Sequence, residues 1–317
     1  SLGGVVPNPR LSLCREGIEL CKKEKVDFLL AVGGGSVIDS AKCIGYGLAN
    51  DCDVWDIYTN KVPDKACAPI GVVLTISAAG SEMSDSSVIT NVSRPKFAMM
   101  NPELTYTLPP YQTASGGTDI LMHTMERYFT VGSTTQLTDK LCESLLTTVM
   151  KNLSICMEDP TNYEARAEVM WAGSLSHNGL MEVGRGRDFA THQLEHELGG
   201  MFDVAHGAGL AAIWGSWARY VYREEPERFA QFAVNVMGCE MDYHDPEKTA
   251  LQGIAKMEDY FRSIGMPTNM KELGLDVTDE QIKELAYKCS FFGARTIGQF
   301  QKLNQQDMEK IYQMARG

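Results

Sequence analysis

Histidines are concentrated in one short stretch of this chain of 317 residues. Three of its six histidines, His192, His196 and His206, fall within 15 residues. His192 and His196 are four residues apart, so a helix would place both imidazoles on one face. A cluster of this kind is unfavourable in an apolar setting unless something binds it, and neutral imidazole is a common metal ligand. The spacing indicates either a metal site or ordinary core and surface histidines.

A second stretch with ligand chemistry contains Asp119 and His123, which also share a helical face, with Glu126 on roughly the same side. One carboxylate and one imidazole suit a divalent metal ion, although a hydrogen-bonded Asp–His pair has the same spacing. Together, the two stretches could supply one carboxylate and two or three histidines to Fe²⁺ or Zn²⁺ and leave a position for substrate. The H-E-x-x-H pattern of zinc proteases is absent.

A third candidate site is the glycine-rich segment from Gly33 to Ser36, which follows an apolar run and opens a helical stretch. Free N–H groups and the helix dipole at such a position favour an anion such as phosphate. The segment is not a Walker A loop, and Ile38 replaces the third glycine of the Rossmann fingerprint. The segment predicts a phosphate-binding loop or a simple tight turn. Asp39 and Lys42 follow one helical turn later, and we expect them to form an ordinary solvent-exposed ion pair.

The elements that must position these residues change in character near Pro109-Pro110. Before that point, apolar runs predict strands. Two buried strands are predicted over Val26–Val32 and Ile70–Ile76, and two short strands over Ser87–Thr90 and Phe97–Met100. Helical stretches, including 10–24 and Ser36–Leu48, alternate with the strands, which indicates a parallel sheet covered by helices.

After Pro110 the pattern is helical almost throughout. The predicted helices cover 112–130, 134–156, 162–182, 188–199, 206–222, 226–237, 247–264, 279–292 and 305–315. We therefore expect two domains, an α/β domain over 1–108 and an all-helical domain over 109–317.

Composition excludes several classes of function. The chain has 29 Lys and Arg against 41 Asp and Glu, a formal charge of −12, which argues against a nucleic-acid-binding surface. It has no apolar run of the roughly 18 residues that a membrane span needs, and Ser1–Pro9 lacks a signal-peptide pattern. Nine cysteines without C-x-x-C predict a protein of the reducing cytoplasm rather than a disulfide framework.

In combination, these motifs resemble the iron-containing (group III) alcohol dehydrogenase family, in its butanol-dehydrogenase-like branch. The matching pieces, in the family's order, are Val6–Pro9, Gly33–Asp39, Thr75–Glu82, Asn101–Leu104, Leu108–Pro110, Gly117–Glu126, His192–Gly207 and Gly298–Ala315. The resemblance covers essentially the whole chain. It implies a dehydroquinate-synthase-like fold, with an α/β dinucleotide-binding domain, an all-α domain and the active site in the cleft between them.

The resemblance also implies roles for individual residues. The metal ligands would be Asp119, His123, His192 and His206, holding Fe²⁺ or Zn²⁺. His196 would lie near the nicotinamide and act in catalysis by relaying a proton. The residues implied to bind NAD or NADP are Asn8, Gly34, Gly35, Ser36, Asp39, Thr75, Ser77 and Ser84. The implied activity is hydride transfer between NAD(P)(H) and a small primary alcohol or aldehyde, and the family also allows a homodimer.

Two departures from the family pattern leave alternatives open. Members normally have a further β-α-β segment ahead of the first residue here, so the nucleotide-binding domain is expected to be incomplete. The Asn91–Pro95 loop is short, and Lys96 does not match the family's cofactor lysine. The protein could therefore be a truncated, catalytically impaired member.

The other alternative is a glycerol-dehydrogenase-like or dehydroquinate-synthase-like enzyme of the same superfold. A dehydroquinate-synthase-like lyase needs several cations for a polyanionic substrate, whereas this neighbourhood offers Arg127, Arg185 and Arg187 and is otherwise apolar. The two remaining histidines, His177 and His244, read as structural or exposed.

Overall fold

A small parallel sheet forms the centre of the first third of the protein. The computed structural model describes residues 1–59, 61–63, 66–84, 94–132 and 135–317. Its strands are β1 (Leu29–Gly33), β2 (Ile70–Leu74) and β3 (Phe97–Met99). They pair in the order β1-β2-β3, and both pairings are parallel. Three of the predicted strands are therefore confirmed. The strand β1 begins three residues later and ends one residue later than predicted, β2 and β3 end earlier, and the strand predicted over Ser87–Thr90 lies outside the described residues.

Three helices accompany this sheet. They are α1 (Leu11–Glu24), α2 (Gly35–Ala49) and α3 (Val54–Tyr58). Helix α2 follows β1 directly, and an apolar cluster that includes Cys14, Ile18 and Ile44 packs α1 against α2. Helix α3 was not predicted, because five residues are too few to show helical periodicity, although Asp53 caps it by accepting the N–H of Trp55.

The rest of the chain is helical, as expected. The helices are α4 (Pro110–Tyr128), α5 (Gln136–Glu158), α6 (Tyr163–His177), α7 (Ala190–Phe202), α8 (His206–Val221), α9 (Pro226–Asn235), α10 (Pro246–Ser263), α11 (Asp279–Cys289) and α12 (Gln305–Ala315). The helix predicted over 162–182 ends early at His177. Gly179, at φ 93°, interrupts it before a short 3₁₀ turn over Leu180–Glu182.

Helix α4 is the central element of this helical part. Its residues from Thr113 to Tyr128 are buried without interruption, because α5, α6 and α8 pack around it. A helix buried on every side places its polar residues in the interior, where they need partners. Asp119 and His123 are therefore core residues, and the same holds for Glu126.

Glycines let two segments approach α4 closely. A side chain at Gly116 would overlap the carbonyl oxygen of Ser77, and one at Gly207 would overlap that of Ser115. These contacts place the loop after β2, and the first turn of α8, directly against the part of α4 that leads to Asp119 and His123. None of the helices that the structure describes combines the length and apolar content needed to cross a membrane.

Candidate metal centre

Four side chains from three helices converge on one point. Asp119 Oδ1 lies 3.4 Å from Nε2 of His123 and 3.4 Å from Nε2 of His192. The Nε2 atom of His206 is 3.7 Å from the same oxygen. Ligands about 2.1 Å from a tetrahedral metal ion are about 3.4 Å apart, so these separations match a shared ion. The structure therefore gathers all three imidazoles around one carboxylate oxygen. The ligand atoms of Asp119, His123 and His192 all lie within 4.8 Å of one another, and His206 joins this group through its contact with Asp119.

The hydrogen-bond inventory of the site supports the same interpretation. Asp119 Oδ1 and His192 Nε2 are buried and have no hydrogen-bond partner. Leaving such atoms unsatisfied costs roughly 1–3 kcal/mol each, so a native site normally provides a partner. A divalent cation satisfies both atoms at once, and a set of one carboxylate and three imidazoles suits Fe²⁺ or Zn²⁺.

Two buried carboxylates orient two of the imidazoles. Glu126 Oε2 lies 2.5 Å from His192 Nδ1, and Glu126 Oε1 accepts the backbone N–H of His192. The carboxylate of Glu195 contacts His206 Nδ1. With Nδ1–H donated to a carboxylate, each ring keeps its Nε2 lone pair for a metal ion.

Electrostatics at the site favour a positive charge. Burial acts to raise the pKa of Asp119, but His206 and His192 outweigh it and hold that pKa below its usual value. Burial opposes protonation of His192, yet Glu126 and Asp119 raise its pKa to about 9. The buried carboxylates of Glu126 and Asp119 thus stabilise a positive charge at His192. Either a proton on the imidazole or a bound metal ion supplies that charge.

The third imidazole, that of His123, is positioned by rings rather than by a carboxylate. Its ring lies 4.1 Å from that of His177 and 4.3 Å from that of His192, measured between centroids. Its Nδ1 atom is 3.4 Å from Arg127 Nη1. Burial lowers the pKa of His123 well below its usual value, so the imidazole is neutral, as a metal ligand must be.

His177 therefore belongs to the site, although its distance from the other histidines in the sequence indicated a structural or exposed residue. Burial lowers its pKa to about 3. No sequence pattern predicts this contact, because His177 ends α6 and is 54 positions from His123 along the chain. His244, by contrast, is exposed, in agreement with its interpretation.

His196 lies at the rim of the centre. Its ring centroid is 5.5 Å from that of His206 and 6.1 Å from that of His192, and the residue is exposed. Its ligand atom also lies within 4.8 Å of those of Glu195 and His206, so these three residues form a second group that could hold a metal ion. This position is compatible with the proton-relay role that the resemblance implies.

Four of the residues implied to bind the dinucleotide, Gly34, Gly35, Ser36 and Thr75, lie at the carboxyl edge of the sheet. Gly34 is the N-cap of α2, and Gly35 and Ser36 open that helix directly after β1. The N–H of Thr75, at the end of β2, donates to the carbonyl of Gly33. Nucleotides bind at this edge of parallel sheets, so the glycine-rich loop and Thr75 are well placed for one.

Asp39 and Ser84 are almost completely buried. Asp39 accepts a hydrogen bond from the Ser81 hydroxyl, at 2.7 Å. Lys42, which is 0% exposed, donates to the carbonyl oxygens of Ser81 and Ser84 and contacts the Ser81 hydroxyl. The expected solvated pair of Asp39 and Lys42 is therefore wrong, because both side chains hold the turn after β2.

Asn8 connects the two parts of the chain. Its side-chain amide donates to Asp203 Oδ1 at 3.2 Å, and Arg10 reaches the same oxygen at 3.4 Å. Asp203 ends α7, which carries His192. The segment before α1 is thus held close to the end of α7, near the proposed metal centre, where the resemblance places Asn8.

Known proteins of one family match nearly the whole chain. The model of the iron-containing alcohol dehydrogenases matches residues 1–108, and that of the C-terminal part of the Fe-containing alcohol dehydrogenase family matches residues 113–316. NADH-dependent butanol dehydrogenase A of Clostridium acetobutylicum is 36% identical over 327 residues, covering 99% of this chain and 83% of that protein. NADPH-dependent aldehyde reductase YqhD of Escherichia coli is 33% identical over 330 residues, covering 99% and 84%.

A solved structure agrees with these relatives. The crystal structure of NADH-dependent butanol dehydrogenase A from Thermotoga maritima superposes with a TM-score of 0.93 at 36% identity, covering 99% of this chain and 82% of that one. The α/β part followed by a helical part is therefore the fold of this family. On its motifs, its fold and its relatives, the chain belongs to the iron-containing alcohol dehydrogenase family, in the butanol-dehydrogenase-like branch.

Proposed function

We propose that this protein transfers a hydride between NAD(H) or NADP(H) and a small primary alcohol or aldehyde. The observation that carries the proposal is the convergence of Asp119 Oδ1 with Nε2 of His123, His192 and His206. Relatives described as an NADH-dependent butanol dehydrogenase and an NADPH-dependent aldehyde reductase support the same reaction class.

The chain's own residues have separable tasks in this reaction. Asp119 and the three imidazoles hold the ion, and Glu126 and Glu195 keep His192 and His206 in the ligating tautomer. When bound, the ion supplies Lewis acidity toward the substrate oxygen, and the nicotinamide supplies or accepts the hydride.

The remaining tasks are cofactor binding and proton movement. Residues Gly34–Ser36 present backbone N–H groups at the start of α2 to the pyrophosphate, and Thr75 and Ser77 line the adjacent edge of the sheet. His196, exposed beside His206, accepts the alcohol proton through water or returns it to the aldehyde oxygen.

The state of the nearby arginines favours a small uncharged substrate. Arg127 is 0% exposed and pairs with Glu182 at 2.8 Å, while Arg185 pairs with Asp139 at 2.5 Å. Both guanidinium groups already have carboxylate partners inside the protein, although Glu182 also pairs with Arg187 and Asp139 also pairs with Arg228. A polyanionic substrate of the dehydroquinate-synthase type would need free cations, so the lyase alternative is disfavoured.

We place the boundary between the two domains at 108/109, so that residues 1–108 bind the dinucleotide and residues 109–317 bind the metal ion. We further propose that the enzyme works in the cytoplasm, where its nine cysteine thiols stay reduced.

The experiment combines metal analysis with turnover. Protein purified without oxygen is assayed for Fe and Zn, and then for oxidation of NADH and of NADPH in the presence of butanal. We expect close to one metal ion per chain and aldehyde-dependent oxidation of one or both cofactors. Asp119→Asn should lose the ion and the activity together, while the exposed control His244→Ala should keep both.

The same experiment separates the alternatives. Bound metal with no oxidation of either cofactor by short aldehydes would identify an impaired member and contradict the proposal. Activity with dihydroxyacetone but not with butanal would favour the glycerol-dehydrogenase-like alternative.

A further inference from the structure

His123 differs from the other two imidazoles of the metal centre in what orients it. The Nδ1 atoms of His192 and His206 each meet a buried carboxylate. The Nδ1 atom of His123 faces Arg127 Nη1 at 3.4 Å, but that Nη1 atom donates at closer range to the carbonyl oxygen of His123, at 2.7 Å. The ring of His123 is therefore held mainly by its neighbours in the stack, of which that of His177 lies nearest, 4.1 Å away.

His177 is itself fixed to a different segment of the protein. Its Nδ1 atom lies 2.5 Å from the carbonyl oxygen of Ala79, so the ring donates a hydrogen bond to the loop after β2. That loop carries Thr75 and Ser77, which we assign to the dinucleotide. One imidazole thus contacts a proposed metal ligand with its face and the proposed cofactor loop with its edge.

The loop is held firmly enough for this link to matter. Gly80, at φ 64°, leaves no room for a side chain because the carbonyl oxygen of Gly173 on α6 lies against it. The carbonyl oxygen of Ser77 presses in the same way on Gly116 of α4. Because the loop is packed tightly against both α4 and α6, the position of Ala79 determines where the His177 ring can lie.

We propose that His177 is a positioning residue that ties the metal ligand His123 to the dinucleotide-facing loop. The inference deepens the proposed function and rests on it, since it concerns the same metal and cofactor sites. The stack with His123 serves metal binding, whereas the hydrogen bond to Ala79 serves cofactor binding. Neither contact requires His177 to touch substrate.

Two substitutions separate the contacts. His177→Phe keeps a flat ring against His123 but cannot donate to Ala79. His177→Asn keeps an N–H donor at about the place of Nδ1 but loses the ring. His244→Phe and His244→Asn, at an exposed position, are the matched controls.

Binding is measured without turnover. Zn²⁺ retention is followed by competition with a chelator, and the dissociation constant for NADH by fluorescence titration. For His177→Asn we expect Zn²⁺ affinity to fall at least about tenfold, with NADH affinity within about twofold of wild type. For His177→Phe we expect NADH affinity to fall about fivefold or more, with Zn²⁺ affinity within about twofold.

The crossed design keeps the inference falsifiable if one variant is unstable. A urea midpoint is recorded for each variant, and a stable variant of either kind still tests its own half of the proposal. Wild-type affinities for both Zn²⁺ and NADH in both variants would overturn the inference and leave the proposed function standing. A wild-type protein that binds neither probe would overturn both.

Discussion

Glu126 holds His192 at two points: its Oε1 accepts the backbone N–H of His192 at 3.0 Å, and its Oε2 lies 2.5 Å from the Nδ1 atom. Both residues are buried, although they come from different helices and are 66 positions apart. The carboxylate therefore fixes where α7 begins relative to α4 as well as the tautomer of the imidazole.

The first prediction concerns the charge of that carboxylate. Glu126→Gln keeps an oxygen for the backbone N–H of His192 but offers a neutral group to Nδ1. Outer carboxylates of this kind are worth roughly 10–100-fold in metal affinity, so we expect Zn²⁺ affinity to fall by that factor. Chelator competition measures it, and Glu168→Gln on the exposed side of α6 is the control. Unchanged affinity in Glu126→Gln would show that packing alone orients His192.

The two stretches that carry the proposed metal ligands could be predicted from the sequence because their signal is local, whereas the choice among the histidines came from the family resemblance. The four-residue spacing of Asp119 and His123 fixes a shared face on any helix, and the histidine group needs only a second helix nearby. The glycine-rich loop was predictable for the same reason, since it lies between a strand and a helix that are adjacent in sequence.

The residues that support the ligands could not be predicted, because their contacts join distant segments. Lys42 reads as a surface residue from its neighbours in sequence, and only the packing of the turn after β2 buries it. His177 reaches His123 only because α6 ends beside α4. Glu195 has one weak signal in the sequence, since it directly precedes a histidine of the cluster.

The second prediction tests the buried lysine. Lys42→Met keeps the length and apolar stem of the side chain but removes the donor to Ser81 and Ser84. It also leaves the buried carboxylate of Glu82 with less compensating charge. Removing one member of a buried ionic group costs roughly 3–5 kcal/mol, and we expect the free energy of unfolding in urea to fall by about 3 kcal/mol.

A functional readout accompanies this stability measurement. Because Lys42 holds the turn that follows Thr75 and Ser77, the KM for NADH should rise more than kcat falls. The exposed Lys283→Met on α11 should change neither quantity. A fall in kcat with an unchanged KM for NADH would indicate that the turn does not shape the dinucleotide site.

The third prediction is a pH dependence of stability. Burial acts to raise the pKa of Asp139, but Arg228 and Arg185 lower it to about 2, below the usual 3.8. A carboxyl whose pKa is lower in the folded protein contributes stability above pH 3.8, and loses it as the pH falls toward 2. The contribution is about 2 kcal/mol at neutral pH.

Asp139→Asn removes this titration. The difference in unfolding free energy between wild type and Asp139→Asn should therefore be large at pH 5 and shrink by about 2 kcal/mol at pH 2. Urea unfolding followed by circular dichroism across this range measures it. Asp276→Asn, at an exposed position, should show no such convergence. A difference that stays constant with pH would mean that the two arginines do not stabilise the charged form.

The fourth prediction uses a pair of glycines on neighbouring helices. A methyl group at Gly207 would overlap the carbonyl oxygen of Ser115, whereas one at Gly200 on α7 would meet no atom within 4 Å. Gly207 directly follows His206, so relief of the overlap must push the start of α8, and the His206 imidazole, away from Asp119. Gly207→Ala should therefore lower both Zn²⁺ retention and the unfolding free energy.

Gly200→Ala is the matched control, and its effect on stability should have the opposite sign. An alanine within a helix is more favourable than glycine by roughly 0.5–1 kcal/mol, because the unfolded chain with alanine has fewer conformations to give up on folding. Zn²⁺ retention should stay at the wild-type level, since the methyl group points into open space. If Gly207→Ala retained Zn²⁺ as well as Gly200→Ala does, the close approach of α8 to α4 would not be what holds His206 beside Asp119. The distance of 3.7 Å between Asp119 Oδ1 and His206 Nε2 would then have to be maintained by Glu195 alone.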